Sequence, residues 1–370
     1  DRSPSRGLGD VYKRQYKLLT KCYPHNFRRN NMKILKCILA LSIAVTMFYS
    51  NVFAADHVLK LAHNGPEQHP FQNGAERFKQ VIEEETDGAL TVQIFPGEQL
   101  GSEEDTSQMI KQGTIACAVE SAGGGLAPFV SSADLFNLPF LFRDVPHFYR
   151  VLDGPVGNFI ARDVEENLDA VFLGWWFSGI RNEWNAKRPV MTPEDLKGLK
   201  IRVMGSPVLI DTFNALGAQA TPMSWGEVYT SLQQGVIDGA ETDHVDLLVE
   251  KFYEVTKHVS LTGHLYLAAG LICSKKVYDK LPANYKIALL KAGQASVQTQ
   301  RDAMEIMTGD ALAELKKKGL KFYSVDVAPF QAKVGAVYRK NAEKVGGCLL
   351  YTSDAADDTP CVDLGGRRII

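Results

Sequence analysis

The stretch that says most about the fold reads TPMSWGEVYTSLQQGVIDGAE and covers residues 221–241. Ser224 and Glu227 have the spacing of a capping box, so a helix should begin at Trp225, and Gly235 suits the left-handed position beyond its end. A helix start of this kind places an aromatic ring, backbone N–H groups and a positive dipole end at one point. We expect that point to receive an anion, with a matching cation from a neighbouring strand.

A signal-peptide pattern lies upstream and begins at Met32. It opens with lysines, continues as an apolar run from Cys37 to Tyr49 and ends in small residues at Ala54. The run is too short for a comfortable transmembrane helix. We therefore expect residues 32–54 to be a cleaved signal peptide and the mature protein to be exported.

Both ends of the chain differ in composition from the rest. Residues 1–31 carry no apolar periodicity, and residues 348–370 replace a Lys-rich amphipathic pattern by a polar run. Both resemble translated vector sequence, so we expect a non-native leader and a non-native tail. Residues 55–347 remain, enough for one large or two medium domains. The formal net charge of -2 and the absence of a long basic block argue against a nucleic-acid partner.

Two cysteines, Cys117 and Cys273, belong to the mature segment. Both lie in apolar runs, which is typical of small buried hydrophobic residues. An exported protein could also pair them. The pattern favours two buried thiols over a disulfide.

Strand and helix patterns alternate in the first part of the mature segment. Strand patterns at residues 58–62, 90–95 and 115–119 enclose helix patterns at residues 70–85 and 102–112. This βαβαβ order implies a mostly parallel sheet that is covered by helices on both faces.

A second set of patterns starts near Ala170. The stretch from Pro282 to about Lys318 has helical composition throughout and, as one helix, would exceed roughly 50 Å. It could brace two lobes, unless Gly309 breaks it. The other patterns of this set are strands at residues 171–177, 199–203 and 265–273, a helix at residues 211–216 and a short helix that Thr192 caps and Pro193 starts.

Two arginines are candidates for binding a carboxylate. Arg202 has the opposite strand parity to its apolar neighbours, so its guanidinium should project into the ligand crevice at the strand's carboxyl end. The planar fork of a guanidinium suits a carboxylate, although an interior ion pair is equally compatible with the pattern. Arg181 follows a strand and a glycine and reaches the same end. For Arg181, the alternative is a salt bridge to Glu183 or another carboxylate.

Sequence signals for catalysis and for cofactors are weak. The histidines of the mature segment lack metal-ligand spacing. The glycine-rich SAGGG at residues 121–125 lacks the Lys-Ser/Thr of a phosphate loop and the full dinucleotide pattern, and we predict a tight turn there. No serine elbow occurs, and neither mature cysteine has the surroundings of an activated thiol. We expect no enzymatic activity, no metal and no cofactor.

The mature segment resembles the substrate-binding proteins of tripartite ATP-independent periplasmic (TRAP) transporters, the DctP-like family. The resemblance rests on Gly101 after Gln99-Leu100, on GLKIRV at residues 198–203, and on the opening stretch through Glu241. It implies an α/β, two-lobed periplasmic binding protein fold with a hinge and a long helix bridging both lobes. Lobe I would comprise residues 55–178 and about 268–308, and lobe II residues 179–267 and about 309–347.

The resemblance also implies a ligand site in the crevice. An arginine at the Arg202 position clamps the ligand carboxylate in that family, and Arg181 matches a second arginine nearby. Sialic-acid-binding members have Asn-Pro where this chain has Thr242 and Asp243, which argues against sialic acid itself. The predicted ligand-binding residues are Arg202, Arg181, Thr242 and Glu241, with Asn64, Glu103, Glu120 and Trp225 where those members place an Asn, acidic residues and an aromatic ring.

The predicted function is solute capture outside the cytoplasm. The protein would bind an organic acid by its carboxylate and deliver it to the membrane subunits of a secondary TRAP transporter. If Glu103 and Glu120 line the pocket, they accept hydrogen bonds from hydroxyls and repel a second carboxylate, which favours a sugar acid over a C4-dicarboxylate. We expect a monomer in the periplasm. The alternatives are the binding protein of an ATP-driven importer, a secreted hydrolase and the sensing domain of a receptor.

Overall fold

The computed structural model describes residues 57–346, so the predicted leader, signal peptide and tail lie outside the described residues. Helices and strands alternate along this part of the chain. The strands are β1 His57–Ala62, β2 Leu90–Phe95, β3 Cys117–Ser121, β4 Ala170–Asn185, β5 Lys200–Val203, β6 Gln219–Pro222, β7 Gly239–Thr242, β8 His258–Ser274 and β9 Lys321–Ser324. The α-helices are α1 Pro70–Glu85, α2 Glu103–Gln112, α3 Val145–Leu152, α4 Pro155–Leu168, α5 Pro207–Ala215, α6 Val228–Gln233, α7 His244–Val249, α8 Lys275–Tyr278, α9 Ala283–Lys317 and α10 Ala328–Asn341.

All nine described strands belong to one sheet, in the order β2-β1-β3-β8-β4-β7-β5-β6, with β9 beside β8. The pairs β1–β2, β1–β3, β5–β6, β5–β7 and β8–β9 are parallel. By contrast, β8 runs antiparallel to its neighbours β3 and β4, and β4 also runs antiparallel to β7. The prediction of a mostly parallel sheet is therefore wrong for the centre, because local alternation carries no information on how strands far apart in sequence pair.

The two long strands divide the sheet into two halves. The first half contains β1, β2 and β3, and the second contains β5, β6, β7 and β9. Between the pairs Phe177–Ala268 and Ile180–Tyr266 the register of β4 against β8 shifts, and Gly179 there has φ +80°. The predicted lobe boundaries, at residues 178/179 and 267/268, lie at one of three register shifts between β4 and β8, and they stay a prediction. A break in register is a natural place for a hinge, since fewer ladder hydrogen bonds hold it rigid.

Helix α9 spans both halves of the sheet. Its 35 residues run without interruption through Gly309 and extend about 52 Å. It packs against α1 and β4 in the first half and against α7 in the second. The predicted bridging helix is thus confirmed as a single helix, because packing along its length outweighs the roughly 1 kcal/mol that one glycine costs.

In the first half of the sheet, the helices and strands begin and end close to the positions that local sequence signals predict. Helix α1 begins at Pro70 and ends at Glu85 as predicted. Ser102 caps α2 and forms a capping box with Asp105. Strand β3 lies two residues later than predicted, at Cys117–Ser121. This displacement matters for the site, because it places Ser121 at the strand end.

Cys117 and Cys273 form a disulfide, contrary to the prediction of two buried thiols. They are direct partners in the antiparallel pair of β3 and β8, with α carbons 3.9 Å apart. The two cysteines are 156 residues apart in sequence, so only the strand pairing reveals that they meet. The disulfide ties β3 to one of the two long strands.

Within residues 57–346, no helix has both the length and the apolarity that a bilayer span requires.

Candidate binding site

A cavity of about 320 Å³, its open mouth included, lies between the two halves of the sheet. Five predicted site residues line it: Asn64, Glu103, Arg181, Arg202 and Trp225. Several of its residues follow the carboxyl ends of parallel strands, which is where open α/β sheets bind ligands.

Arg202 has one donor with no hydrogen-bond partner in the part of the chain that the structure describes. Its Nε and Nη2 both donate to the backbone oxygen of Met223, at 2.9 and 2.7 Å. Its Nη1 is buried and makes no hydrogen bond, and among the described residues Arg202 has no ion-pair partner within 4.0 Å. The ring of Trp225 lies 5.3 Å from the guanidinium. Burial lowers the pKa of Arg202 to about 10, which still leaves it cationic at neutral pH.

Arg181 lies on the same cavity but is fully engaged. Its Nε donates to Glu241 Oε2 at 2.7 Å, and its Nη2 donates to Glu241 Oε1 at 3.1 Å and to the Glu241 backbone oxygen at 2.6 Å. Its Nη1 lies 3.6 Å from Asp246 Oδ2. Burial acts to raise the pKa of Glu241, but Arg181 and His264 outweigh it and lower that pKa to about 2. Of the two possibilities for Arg181, the structure thus shows an internal salt bridge.

The turn that carries Trp225 differs from the predicted capping box. Residues Trp225–Glu227 form a 3-10 turn that leads into α6, and Ser224 makes no side-chain capping bond. The N–H of Gly226 instead donates to Glu98 Oε2, at 2.9 Å. The predicted anion at this helix start is therefore a carboxylate of the chain itself. The predicted left-handed residue beyond the helix is confirmed, since Gly235 has φ +71°.

Of the two acidic residues predicted to line the site, Glu103 does so and Glu120 does not. Glu103 lines the cavity and accepts from the backbone N–H and the hydroxyl of Ser121, at 2.7 and 2.8 Å. Burial raises its pKa, and the bonds from Ser121 oppose this. Glu120 is fully buried, accepts from Thr106 at 2.7 Å and does not line the cavity. Successive strand residues face opposite sides, so Ser121 points to the cavity and Glu120 points away.

The glycine run after β3 brings these acids close to the backbone. It forms a single π-helical turn, Ala122–Leu126, where we predicted a tight turn. A Cβ atom on Gly124 would lie 2.1 Å from Glu103 Oε2, and one on Gly125 would lie 2.1 Å from Glu120 Oε2. The run therefore serves close packing of carboxylates, and a side chain at either position would displace one.

A second acid on the cavity is Asp246. His69 Nδ1 accepts from the Phe71 N–H at 3.1 Å, so a neutral His69 carries its proton on Nε2, which lies 3.4 Å from Asp246 Oδ1. Burial acts to raise the pKa of Asp246, but His69 and Arg181 outweigh it and lower that pKa to about 2. Asp246 is thus an ionised carboxylate beside Arg181, and its contact with His69 crosses between the halves.

Comparison with known proteins identifies the family. The model of bacterial extracellular solute-binding protein family 7, DctP, matches residues 61–344. The chain belongs to this family. A solute-binding protein of Verminephrobacter eiseniae is 35% identical over 275 residues, which are 74% of this chain and 81% of the relative.

Solved structures agree with the family model. A TRAP periplasmic solute-binding protein of Sulfurospirillum deleyianum with bound succinate has a TM-score of 0.79 and 31% identity, and covers 82% of this chain and 100% of its own. One of Polaromonas sp. bound to D-erythronate has a TM-score of 0.79, 32% identity and the same two coverages. The two-lobed α/β fold is confirmed. This family is extracytoplasmic, binds small organic acids and works with TRAP membrane subunits.

Three of the eight predicted residues lie off the cavity of this family member. Besides Glu120, these are Glu241, which is buried against Arg181, and Thr242, whose hydroxyl donates to Asp246. The prediction missed six lining residues: His69, Ser121, Ser178, Met204, Asp246 and Leu267. Ser121 and Met204 follow strand ends that the sequence does show. Asp246, one helical turn beyond β7, has no such signal.

Proposed function

We propose that this family 7 protein binds a sugar acid by its single carboxylate and delivers it to the membrane subunits of a secondary TRAP transporter. The observation that carries the proposal is the Nη1 donor of Arg202. It is buried and cationic and has no hydrogen-bond partner within residues 57–346, and a buried donor left unsatisfied costs roughly 1–3 kcal/mol. A ligand carboxylate in the cavity satisfies both the donor and the charge.

The rest of the cavity favours hydroxyls over a second carboxylate. Asp246 and Glu103 present carboxyl oxygens, and the positive charge of Arg181 is offset by Glu241 and Asp246. Hydroxyl groups of a polyol can donate to these oxygens, whereas a second carboxylate meets like charge. The acidic pair proposed for selectivity is therefore Glu103 with Asp246, in place of Glu103 with Glu120.

The similar structures leave this choice open, because succinate and D-erythronate occur in two proteins with equal TM-scores to this chain. The lining chemistry supports the sugar acid. With one free cationic donor and two carboxyl groups, the cavity suits a monocarboxylate with hydroxyls, as in erythronate, better than a dicarboxylate.

Capture shifts a population of conformations. Contacts from both halves of the sheet favour the closed form, and the membrane subunits distinguish it from the open form. No bond is made or broken, so the protein acts as a carrier and not as an enzyme. It works as a monomer in the periplasm after removal of its signal peptide, and nucleic acid has no part in this role.

Calorimetric titration with D-erythronate, D-glucuronate and succinate tests the proposal. Binding of at least one sugar acid, tighter than succinate, is expected. Arg202→Met should weaken sugar-acid binding by up to about 100-fold, because a charge-assisted hydrogen bond contributes roughly 1.5–3 kcal/mol. The matched control is Arg162→Met, since Arg162 is exposed on α4. Full affinity in Arg202→Met, or a preference for succinate, contradicts the proposal.

A further inference from the structure

Glu98 spans the crevice between the two halves of the sheet. It lies in the loop between β2 and α2, in the first half, and its Oε2 accepts from the N–H of Gly226 in the second half, at 2.9 Å. The two residues are 128 positions apart in sequence. Any opening of the crevice separates them, so this hydrogen bond exists only while the halves are together.

The backbone conformation at Glu98 and the absence of a side chain at Gly226 both allow this contact. Glu98 has φ +56°, a left-handed conformation that is uncommon for a residue with a side chain and costs roughly 1–3 kcal/mol. On the other side, a Cβ atom on Gly226 would lie 2.6 Å from Glu98 Oε2. The carboxylate thus reaches the turn through a strained loop, at a position where a side chain in place of Gly226 would displace it.

The turn that Glu98 contacts is the one that places Trp225. On its own side, Trp225 Nε1 donates to Glu250 at 3.0 Å, and its ring packs on Phe252 and lies over Arg202. Ser224 makes no capping bond, so within this turn Glu98 takes the place of the N-cap side chain. A cap from across the crevice couples the position of Trp225 to closure.

We propose that Glu98 is a positioning residue for solute capture, which caps the Trp225 turn across the crevice and so holds the closed form around the solute. The inference rests on the proposed function, because it assigns closure to capture. Glu98 lies outside the cavity lining. Through Glu98, the conformation of the Trp225 turn depends on whether the two halves of the sheet are closed.

The charges around Glu98 give closure a pH dependence. The carboxyl group faces Glu103 and Asp105 from α2, Arg202 from β5 and, farther off, Glu120 and Glu250, while its Oε1 is buried without a hydrogen-bond partner among the described residues. Burial raises its pKa to about 7, although the bond from Gly226 and the charge of Arg202 act against this. The ordinary pKa of a glutamate is 4.5, and an open crevice removes the burial that raises it. The closed form therefore binds the proton more tightly, and closure loses favour as pH rises from about 4.5 to about 7.

Amide exchange in the solute-free protein tests the contact without any ligand. In protein labelled with ¹⁵N-glycine, the Gly226 amide should exchange several-fold faster in Glu98→Ala than in the wild type. Glu98→Gln, which keeps an acceptor oxygen, should stay near the wild-type rate. Glu104→Gln is the control, since Glu104 is exposed on the first turn of α2. Equal rates in Glu98→Ala and the wild type overturn the proposal.

Binding of D-erythronate or D-glucuronate tests the role in capture. Glu98→Ala should weaken binding about tenfold at pH 6, mainly through faster dissociation. Wild-type affinity should fall up to about tenfold between pH 6 and pH 8, and Glu98→Gln should lack that part of the slope. Parallel pH profiles, or unchanged affinity in Glu98→Ala, contradict the proposal.

Gly226→Ala adds a second arm that does not depend on the Glu98 variants. It should weaken binding through its clash with Glu98, and Glu98→Ala combined with Gly226→Ala should be no weaker than Glu98→Ala alone. Additive losses overturn the direct contact. If the wild type binds neither sugar acid, the proposed function fails, and the glycine exchange experiment still decides the role of Glu98.

Discussion

Two arginines face the same cavity and do different work. Arg181 donates to Glu241 and lies beside Asp246. By contrast, Arg202 donates from Nε and Nη2 to one backbone oxygen, and its Nη1 has no hydrogen-bond partner among the described residues. Both are buried, and both belong to strands of the sheet. The difference teaches that burial of a cation does not define a ligand site. What defines it is a buried charge whose partner the protein does not supply.

The largest expected effect concerns the stability of the Arg181 side. Arg181→Met leaves Glu241 and Asp246 buried without their cation, so the free energy of unfolding should fall by about 3–5 kcal/mol. Arg202→Met removes a cation that has no counter-ion and should change stability by about 1 kcal/mol or less. Urea unfolding of the two solute-free variants measures both. Equal losses would show that the two arginines are not distinguished by their partners.

The next effect concerns the geometry of the Arg202 side. Arg202→Lys keeps a cation but loses the planar guanidinium, which donates to the Met223 backbone oxygen and at the same time presents Nη1 to the cavity. Sugar-acid affinity should fall about 30-fold, which corresponds to about 2 kcal/mol. Isothermal titration at pH 7 measures it. An affinity within threefold of the wild type would show that Arg202 contributes only its charge and not its planar geometry.

Selectivity should change when the acid beside Arg181 is neutralised. Asp246→Asn keeps the shape of the side chain but removes a charge that faces the cavity, so the ratio of succinate to D-erythronate affinity should rise about tenfold. Asp310→Asn, at an exposed position on α9, is the control. Competition binding with both acids gives the ratio. An unchanged ratio argues that Asp246 serves only Arg181 and His69.

The smallest expected effect concerns the ring over Arg202. Trp225→Phe keeps an aromatic face but loses the Nε1 bond to Glu250, so affinity should fall about threefold, or roughly 0.7 kcal/mol. Burial raises the pKa of Glu250 to about 7, and the bond from Trp225 opposes this, so its loss should raise that pKa further. Titration calorimetry at pH 6 and pH 8 checks both. A loss as large as that of Arg202→Lys would contradict this ranking.

The sequence predicted the first half of the fold closely. Helix α1 and strand β2 have the predicted bounds, because periodicity, Pro70 and the flanking glycine are local signals. The disulfide and the antiparallel centre were missed, since both depend on β3 meeting β8. Pairing over such distances is set by packing, and no local pattern records it.

The site was predictable in part for the same reason. Arg202 lies near the carboxyl end of β5 and Glu103 follows β2, so strand order alone brings them towards one edge. Glu120 differs from Ser121 by one position, and a strand end predicted two residues early left open which of the two faces the cavity. Asp246 reaches the cavity only because α7 turns back after β7.

By itself, the sequence determined the alternating α/β pattern, the long helix, the family and the arginine on β5, because each depends on neighbours within a few turns of chain. The tertiary structure decided which arginine is free, which acids face the cavity and what caps the Trp225 turn. Those outcomes depend on charges that come from both halves of the sheet. Whether a buried group has a partner is a property of the closed space around it, and only folding creates that space.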